Sequence, residues 1–377
     1  MAEIRRLLEW GRHQALPFWS DHSWDERGGG FYETLDLQGA GVRGDVRRVR
    51  VQARQAYVFA RCAHEGWLDR LDLATGGLDR LYKLAWNVGG EPGWVHTLND
   101  DGSVRDTRRD LYDQAFVILA CAWVYKATGE TRYRDMAYDT LAFLDDHMAD
   151  PRGGYVEAIG ADLLPRRQNP HMHLFEALLA LYEVAGDEGL RPRLDAIRTL
   201  FDRHFYDSGH GVLREFFRAD WVPHGEKGHI VEPGHLCEWV WLLAEYSRLT
   251  GAPAAPAGVV LFAQAMTSGV NTRTGLLMAR MTPSGEALDA GSRTWMQTEW
   301  VRAAAVEAVR GSACGEKALK SACAALYRHH LEPAVPGGWI DAVAEDGSGV
   351  SSDMPASTLY HVLGCLLELD ALGTREH

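Results

Sequence analysis

The chain has 377 residues, enough to bury a large core, and its 46% apolar and 24% charged content excludes disordered and fibrous classes. With 39 Lys+Arg against 52 Asp+Glu the net charge is −13. Such a surface repels phosphate backbones and anionic lipid, so neither nucleic acid nor a membrane is expected as a partner.

The N-terminal MAEIRRLLEWGRHQ lacks the apolar core of a signal peptide. Beyond it the chain runs six times into a glycine, a short alternating or aromatic segment and polar turn residues. These are GGGFYETLDLQG, EPGWVHTLNDDG, RGGYVEAIGADLL, GHGVLREFFRADW, RTGLLMARMTPSG and PGGWIDAVAEDGSG, with the repeat glycines at Gly30, Gly93, Gly154, Gly211, Gly275 and Gly338. The intervals of 63, 61, 57, 64 and 63 residues mark a structural repeat. Between the segments lie stretches that read as helix pairs. The helix after each hairpin is often apolar nearly all round (AFVILACAWVY, LFEALLALY, WVWLLAEY, VLGCLLEL), while its partner is amphipathic (TRYRDMAYDTLAFLDDHM, RPRLDAIRTLFDRHF). A helix apolar on every side is buried on every side, and an amphipathic one faces solvent.

The expectation is therefore all-α: an (α/α)6 barrel of six helix-pair repeats with short β-hairpins at one end, forming a single domain over residues 1–377. A (β/α)8 barrel needs eight units of about thirty residues, not six of twice that length. Ala115–Tyr125, the longest unbroken apolar stretch, is too short to span a bilayer. The six cysteines form no CxxC pair and read as buried thiols of a reducing compartment, so a soluble cytoplasmic protein is expected. A solvent-facing outer ring leaves a homodimer open.

Counted from the repeat glycines, polar residues begin the inner helices at similar depth. Arg54 lies 24 residues on, Asp113 and Gln114 at 20 and 21, His173 at 19, His235 at 24, Gln297 and Glu299 at 22 and 24, and His361 at 23. In a barrel these ends converge on one mouth, and ionisable groups on apolar helices need partners or a job. Any one such His is ordinarily a hydrogen-bonded core residue; three in register favour a site. His171, two residues from His173, faces elsewhere on a helix. His329 and His330 read as solvated groups at a helix end. No HExxH, Cys/His cluster or EF-hand loop supports a metal, and no P-loop or dinucleotide fingerprint supports a cofactor, so none of either is expected. Of the arginines Arg43, Arg47, Arg48, Arg50 and Arg54, only Arg54 lies at inner-helix depth.

Imidazoles with an Arg and a Glu around one cavity suit proton transfer next to a carbonyl, since an unperturbed His titrates near 6.5. Removing the C2 proton of an open-chain aldose gives a cis-enediolate, which a fixed guanidinium stabilises. Return to C1 gives the ketose; return to the other face of C2 gives the epimer.

At this point the sequence resembles the N-acylglucosamine 2-epimerase superfamily, which includes mannose isomerases, sulfoquinovose isomerase and cellobiose 2-epimerases. The matching stretches are QARQAYVF around Arg54, NPHMHLFEALLAL around His173, EPGHLCEWVWLL around His235 and Glu238, RTWMQTEW around Gln297 and Glu299, and LYHVLGCLLEL around His361. The resemblance implies that His235 and His361 are the acid/base pair, with His173 and Arg54 assisting ring opening and enediolate stabilisation. Glu238, one turn after His235, is expected to orient it, and Trp295 and Trp239 are candidate sugar-stacking surfaces. Glu299, Gln297, Asp113 and Gln114 complete the expected substrate-binding set. The leading reading is a cofactor-independent aldose–ketose isomerase of free monosaccharides, D-mannose and D-fructose, with a sugar 2-epimerase as alternative. A phosphorylated or sulfonated hexose stays open, because arginines near Arg54 can meet an anion. A glycoside hydrolase or lyase would need two facing carboxylates, drawn from Asp113, Glu238 and Glu299, and would leave three histidines surplus. A non-catalytic sugar-binding protein is the third reading.

Overall fold

The computed structural model describes residues 2–44, 46–160 and 165–375; the last four residues of the third repeat segment, 161–164, lie outside the described residues. Ala2–Trp10 (α1) continues through a π-helical turn into Leu16–His22 (α2). There follow Val49–His64 (α3), Leu71–Ala85 (α4), Leu111–Thr128 (α5), Thr131–Phe143 (α6), Asn169–Ala185 (α7) and Arg191–Leu200 (α8). The chain ends with Pro233–Thr250 (α9), Pro256–Ser268 (α10), Thr294–Val309 (α11), Ala313–Leu326 (α12) and Thr358–Arg375 (α13).

Odd-numbered helices from α3 to α13 form the inner set. Each contacts the next in that order, and α13 contacts α3. The outer set covers them: α4 on α3, α6 on α5, α8 on α7, α10 on α9, α12 on α11 and α1 on α13. The division follows the hydropathy pattern. Every residue of α5 from Ala115 to Val124 is buried, whereas α4 buries only the stripe Leu73, Ala74, Gly77, Leu78, Leu81 and Ala85. The Asp110 carboxylate starts α5 by accepting from the Tyr112 backbone N–H.

The repeat glycines sit in the left-handed region, φ +79° at Gly30, +87° at Gly93, +69° at Gly154 and Gly211, and +74° at Gly275; in the sixth unit Gly337 (+86°) takes this place instead of Gly338. At Gly93 a Cβ would also lie 2.4 Å from the Phe143 ring. The strands differ from the expectation of hairpins closed within each unit. Hairpins do occur, at Thr97–Leu98 with Val104–Asp106, Tyr206–Asp207 with Val212–Leu213, and Arg280–Met281 with Ala287–Asp289. The backbone that feeds each inner helix, however, pairs with the next unit: Arg47–Arg48 with Thr97–Leu98, Arg109–Asp110 with Ala158–Ile159, Arg166–Arg167 with Phe216–Phe217, Val231 with Met281, and Ser292–Arg293 with Ala342–Val343. Asp353–Pro355 pairs in turn with Thr34–Asp36 of the first unit. The physical reason is that buried backbone donors at a helix entrance must be satisfied, and the neighbouring unit supplies the nearest acceptors.

No helix among the described residues is long and apolar enough to cross a membrane. All six cysteines are free, and all but Cys314 are buried.

Candidate active site

A cavity of about 360 Å³ opens where the inner helices begin. A first-turn residue of each helix lines it: Arg50 (α3), Tyr112 (α5), Asn169 (α7), His235 (α9), Trp295 (α11) and Thr358 (α13). Arg54, His173, Glu238 and His361 also line it. The four residues expected to carry the chemistry are thus brought together from four helices.

Each imidazole is held by a buried carboxylate on its Nδ1. His361 meets Glu299 Oε1 at 2.8 Å, His173 meets Glu176 Oε2 at 3.2 Å, and His235 meets Glu215 Oε2 at 3.0 Å. At His361 and His173 the other ring nitrogen, Nε2, is left to act on a bound molecule, whereas at His235 it also meets the Asn169 amide. Trp295 stands between two of these rings, with centroids 5.1 Å from His235 and 5.5 Å from His361. The His173 ring stacks on Tyr112 at 5.0 Å and lies 6.5 Å from that of His361. Arg54 donates to the Tyr112 hydroxyl at 2.9 Å and to the Ser357 carbonyl at 3.4 Å, with its guanidinium 4.0 Å from the Phe116 ring centroid.

Similar partners give the rings opposite charge. Burial disfavours the imidazolium at all three. At His235 the charges of Glu215 and Glu232, the latter 3.5 Å away, outweigh burial and push its pKa up to about 10. At His361 burial, then Arg54 and Arg302, hold the ring well below the ordinary imidazole value. At His173 burial outweighs Glu176 and pulls the ring down to about 3. The Asn169 amide lies 2.9 Å from His235 Nε2, and its oxygen, otherwise without a partner, is the atom that can face a protonated Nε2. The cavity therefore brings together one imidazole raised above its ordinary value and two held below it.

Four expected contacts lie elsewhere. Gln114 and Gln297 do not line the cavity. Each clamps the segment after its own repeat glycine, Gln114 through Trp94 N–H (3.1 Å) and C=O (2.9 Å), Gln297 through Leu277 N–H (3.3 Å) and C=O (3.2 Å). Gln52 does the same to Phe31, and His171 accepts from Tyr155 N–H. Their shared register marks this clamp, not the mouth. Trp239 is fully buried; it donates to Gln168 Oε1 at 2.8 Å and packs 4.5 Å from the Phe201 ring. Asp113 sits behind Arg50 (3.1 Å) and His96 (2.6 Å).

Two more differences concern roles. Glu238 lines the cavity without a hydrogen bond to His235: its oxygens have no hydrogen-bond partner, His173 Nδ1 lies 3.7 Å away, and burial holds its carboxyl far above the usual range. Glu299 acts from behind His361. His330 is also not solvated but buried, bonded to the Thr294 hydroxyl (3.0 Å) and the Ile340 carbonyl (2.7 Å).

Sequence reasoning missed Glu215, Glu176, Asn169, Arg302 and Arg293; Arg48 and Arg50, named in the basic cluster but not placed at inner-helix depth, also line the cavity. For a metal, the described residues contain three groups of suitably close ligand atoms: His96/Asp110/Asp113, His173/Glu176/Glu238 and Glu238/Glu299/His361. In each, at least one His–carboxylate contact is already made, and the last two share Glu238.

Residues 30–365 match the family model described as N-acylglucosamine 2-epimerase. Mannose-6-phosphate isomerase of Rhizobium meliloti (strain 1021) is 39% identical over 380 residues, covering 97% of this chain and 96% of the relative. Cellobiose 2-epimerase of Bacteroides fragilis is 25% identical over 358 residues, covering 88% and 89%. A solved D-mannose isomerase superposes with a TM-score of 0.87 at 21% identity, covering 97% of each chain, and so shares the fold. The chain belongs to the N-acylglucosamine 2-epimerase family and is an enzyme acting on sugars.

Proposed function

We propose that the protein is an aldose–ketose isomerase of the mannose/fructose type, working in a closed (α/α)6 barrel through the charge-separated pair His235 and His361. The observation that carries this reading is one imidazolium and one neutral imidazole facing the same cavity, on either side of Trp295. His235, as the acid, protonates the ring oxygen during opening while the anomeric hydroxyl gives its proton to water and becomes the carbonyl. His361 Nε2, with Nδ1–H pointed at Glu299, removes the C2 proton of the open aldose. The bond electrons pass to the carbonyl oxygen O1, giving a cis-enediolate that Arg54 stabilises; the O2 proton then passes to O1, and His361 returns its proton to C1 as the C2–O bond becomes the carbonyl. Every step balances without an external oxidant or cofactor.

The mouth supports an anionic substrate. Arg48, Arg50, Arg54 and Arg293 line one cavity in a chain of net charge −13, and the first turns of six helices open onto it. Arg48 and Arg293 spend one edge each on Glu33 and Asp341, which leaves further N–H groups for a ligand. A hexose 6-phosphate is accordingly proposed ahead of the free hexose expected from sequence, in keeping with the name of the Rhizobium meliloti relative. C2 epimerisation is the second reading, because His235, as an acid across the cavity from His361, is suited to protonate the opposite face of C2. Metal-depleted enzyme incubated with mannose 6-phosphate tests the proposal: fructose 6-phosphate supports it, glucose 6-phosphate supports the epimerase, and turnover of unphosphorylated mannose alone removes the anionic substrate.

A further inference from the structure

The opposite end of the inner-helix bundle holds a second cavity of about 410 Å³, lined by residues of all six inner helices, among them Tyr57, Trp123, Glu176, Trp241, Arg302 and Gly364. Two of these reach the layer that carries the imidazoles. Arg302, only 3% exposed, donates from Nη1 to both oxygens of Glu299 (3.1 and 2.9 Å), and its Nη2 lies 3.9 Å from Glu176 Oε1. Glu299 holds His361, and Glu176 holds both His173 and the Tyr360 hydroxyl. The guanidinium lies over the Trp241 ring, 3.8 Å from its centroid. It passes Gly364, where a Cβ would stand 3.1 Å from its central carbon, so a residue with a side chain there would crowd it. Its Nε has no partner.

We propose that Arg302, reached from the far cavity, is a positioning residue that orders both cavity-facing imidazoles, fixing His361 through Glu299 and His173 through Glu176. Two buried carboxylates, Glu299 and Glu176, flank this guanidinium, and its charge also favours the ionised form of the buried Glu238. Without it, the layer would take up a proton, and the base would lose its neutral, Nδ1-protonated form. The groups facing His361 are Glu299 and Arg302 on α11, Arg54 on α3, Glu176 and His173 on α7, His235 on α9, and Tyr360 beside it. Of the three cations among them, Arg54, His235 and Arg302, only Arg302 does not line the substrate cavity.

The test is Arg302→Met, with Arg302→Lys and Arg302→Ala beside it. The kinetic readout rests on the isomerase reading and uses whichever hexose the wild type converts. In Arg302→Met, kcat falls about 10- to 100-fold with KM unchanged, as for other groups that act through a first partner. Its acidic limb moves up by about one pH unit or more, because a cation has left the imidazole–carboxylate pair. In Arg302→Lys, kcat falls while the limb stays in place, which keeps the test open if the Met variant does not fold. Guanidinium chloride entering by the far cavity restores activity to Arg302→Ala several-fold, and equal urea or sodium chloride does not. Titration of ¹⁵N-labelled histidine shows the His361–Glu299 pair binding its proton at higher pH in the Met variant, and needs no substrate. A folded Met variant with unmoved limb and titration, a loss of activity lying in KM, or full kcat in the Lys variant overturns the proposal. No turnover by the wild type with any hexose would instead sink the functional reading and leave the histidine titration to decide this one.

Discussion

Replacing Glu215 by Gln isolates the charge that makes His235 an acid. The amide oxygen of Gln can still accept from Nδ1–H, so the orientation of the ring survives while one negative charge is removed. At 3.0 Å and an effective dielectric of about 20, that charge pair is worth about 5.5 kcal/mol, equivalent to about four pH units. Glu232 stays, 3.5 Å from Nδ1, against an unchanged burial penalty. The His235 pKa, raised to about 10 in the native enzyme, should therefore fall by about three to four units, to near neutrality. The assay is kcat for hexose isomerisation between pH 5 and 10. Because the acid must be protonated, the wild type keeps its rate up to high pH, whereas Glu215→Gln loses activity through about pH 7 with its acidic limb in place. A well-folded Glu215→Gln enzyme with its alkaline limb where the wild type has it would refute the assignment of His235 as the acid.

Four other outcomes follow from the same contacts. His361→Ala abolishes both turnover and exchange of the C2 proton with solvent, whereas Glu299→Gln lowers kcat by about 10- to 100-fold and spares KM; exchange measured by NMR in D2O separates them. Arg293→Ala raises KM for a hexose 6-phosphate at least about tenfold and leaves any activity on the free hexose unchanged, as loss of a charge-assisted phosphate contact requires. Gln114→Ala leaves the buried Trp94 N–H and C=O unpaired, which costs about 2–4 kcal/mol in chemical denaturation with KM unaffected. Finally, the His235 pKa is raised on folding, so its contribution to stability is complete below about pH 6.5 and is lost as pH rises towards 10. Denaturation midpoints fall over that window in the wild type, and fall less in Glu215→Gln.

The helix pairs were legible because burial writes itself into hydropathy: a helix packed on all sides tolerates almost only apolar residues, and AFVILACAWVY is buried throughout. His173, His235, His361 and Arg54 stood out because ionisable groups are rare on such helices. The same logic failed at Gln114, Gln297 and Asp113, since the need to satisfy a buried turn recurs in every repeat as regularly as a site does. Trp239 misled because an indole that fills a core and one that lines a sugar site look alike in sequence. The partners of His173 and His235 were missed although both lie in the same unit as their imidazole, Glu176 one turn on in the same helix and Glu215 four residues after Gly211, because only the residues that begin each inner helix were weighed. A signal for Glu215 was nevertheless present. Three or four residues after the repeat glycine stand Glu33, His96, Glu157, Glu215 and Asp341, all buried, in every unit but the fifth. Each touches a residue near the start of an inner helix: Arg48, Asp113, Arg167, His235 and Thr358. Arg302 carried no such signal, because its slot depends on Gly364 in another helix.

The central claim is proton transfer at C2 by a neutral His361 opposite a cationic His235. It is tested most directly by proton NMR of metal-depleted enzyme with mannose 6-phosphate, and then mannose, in D2O. The account predicts the corresponding fructose species with deuterium at C1, and loss of that product in His361→Ala. Turnover that persists in His361→Ala, or a ketose formed by wild type only when a divalent ion is added back, would contradict it.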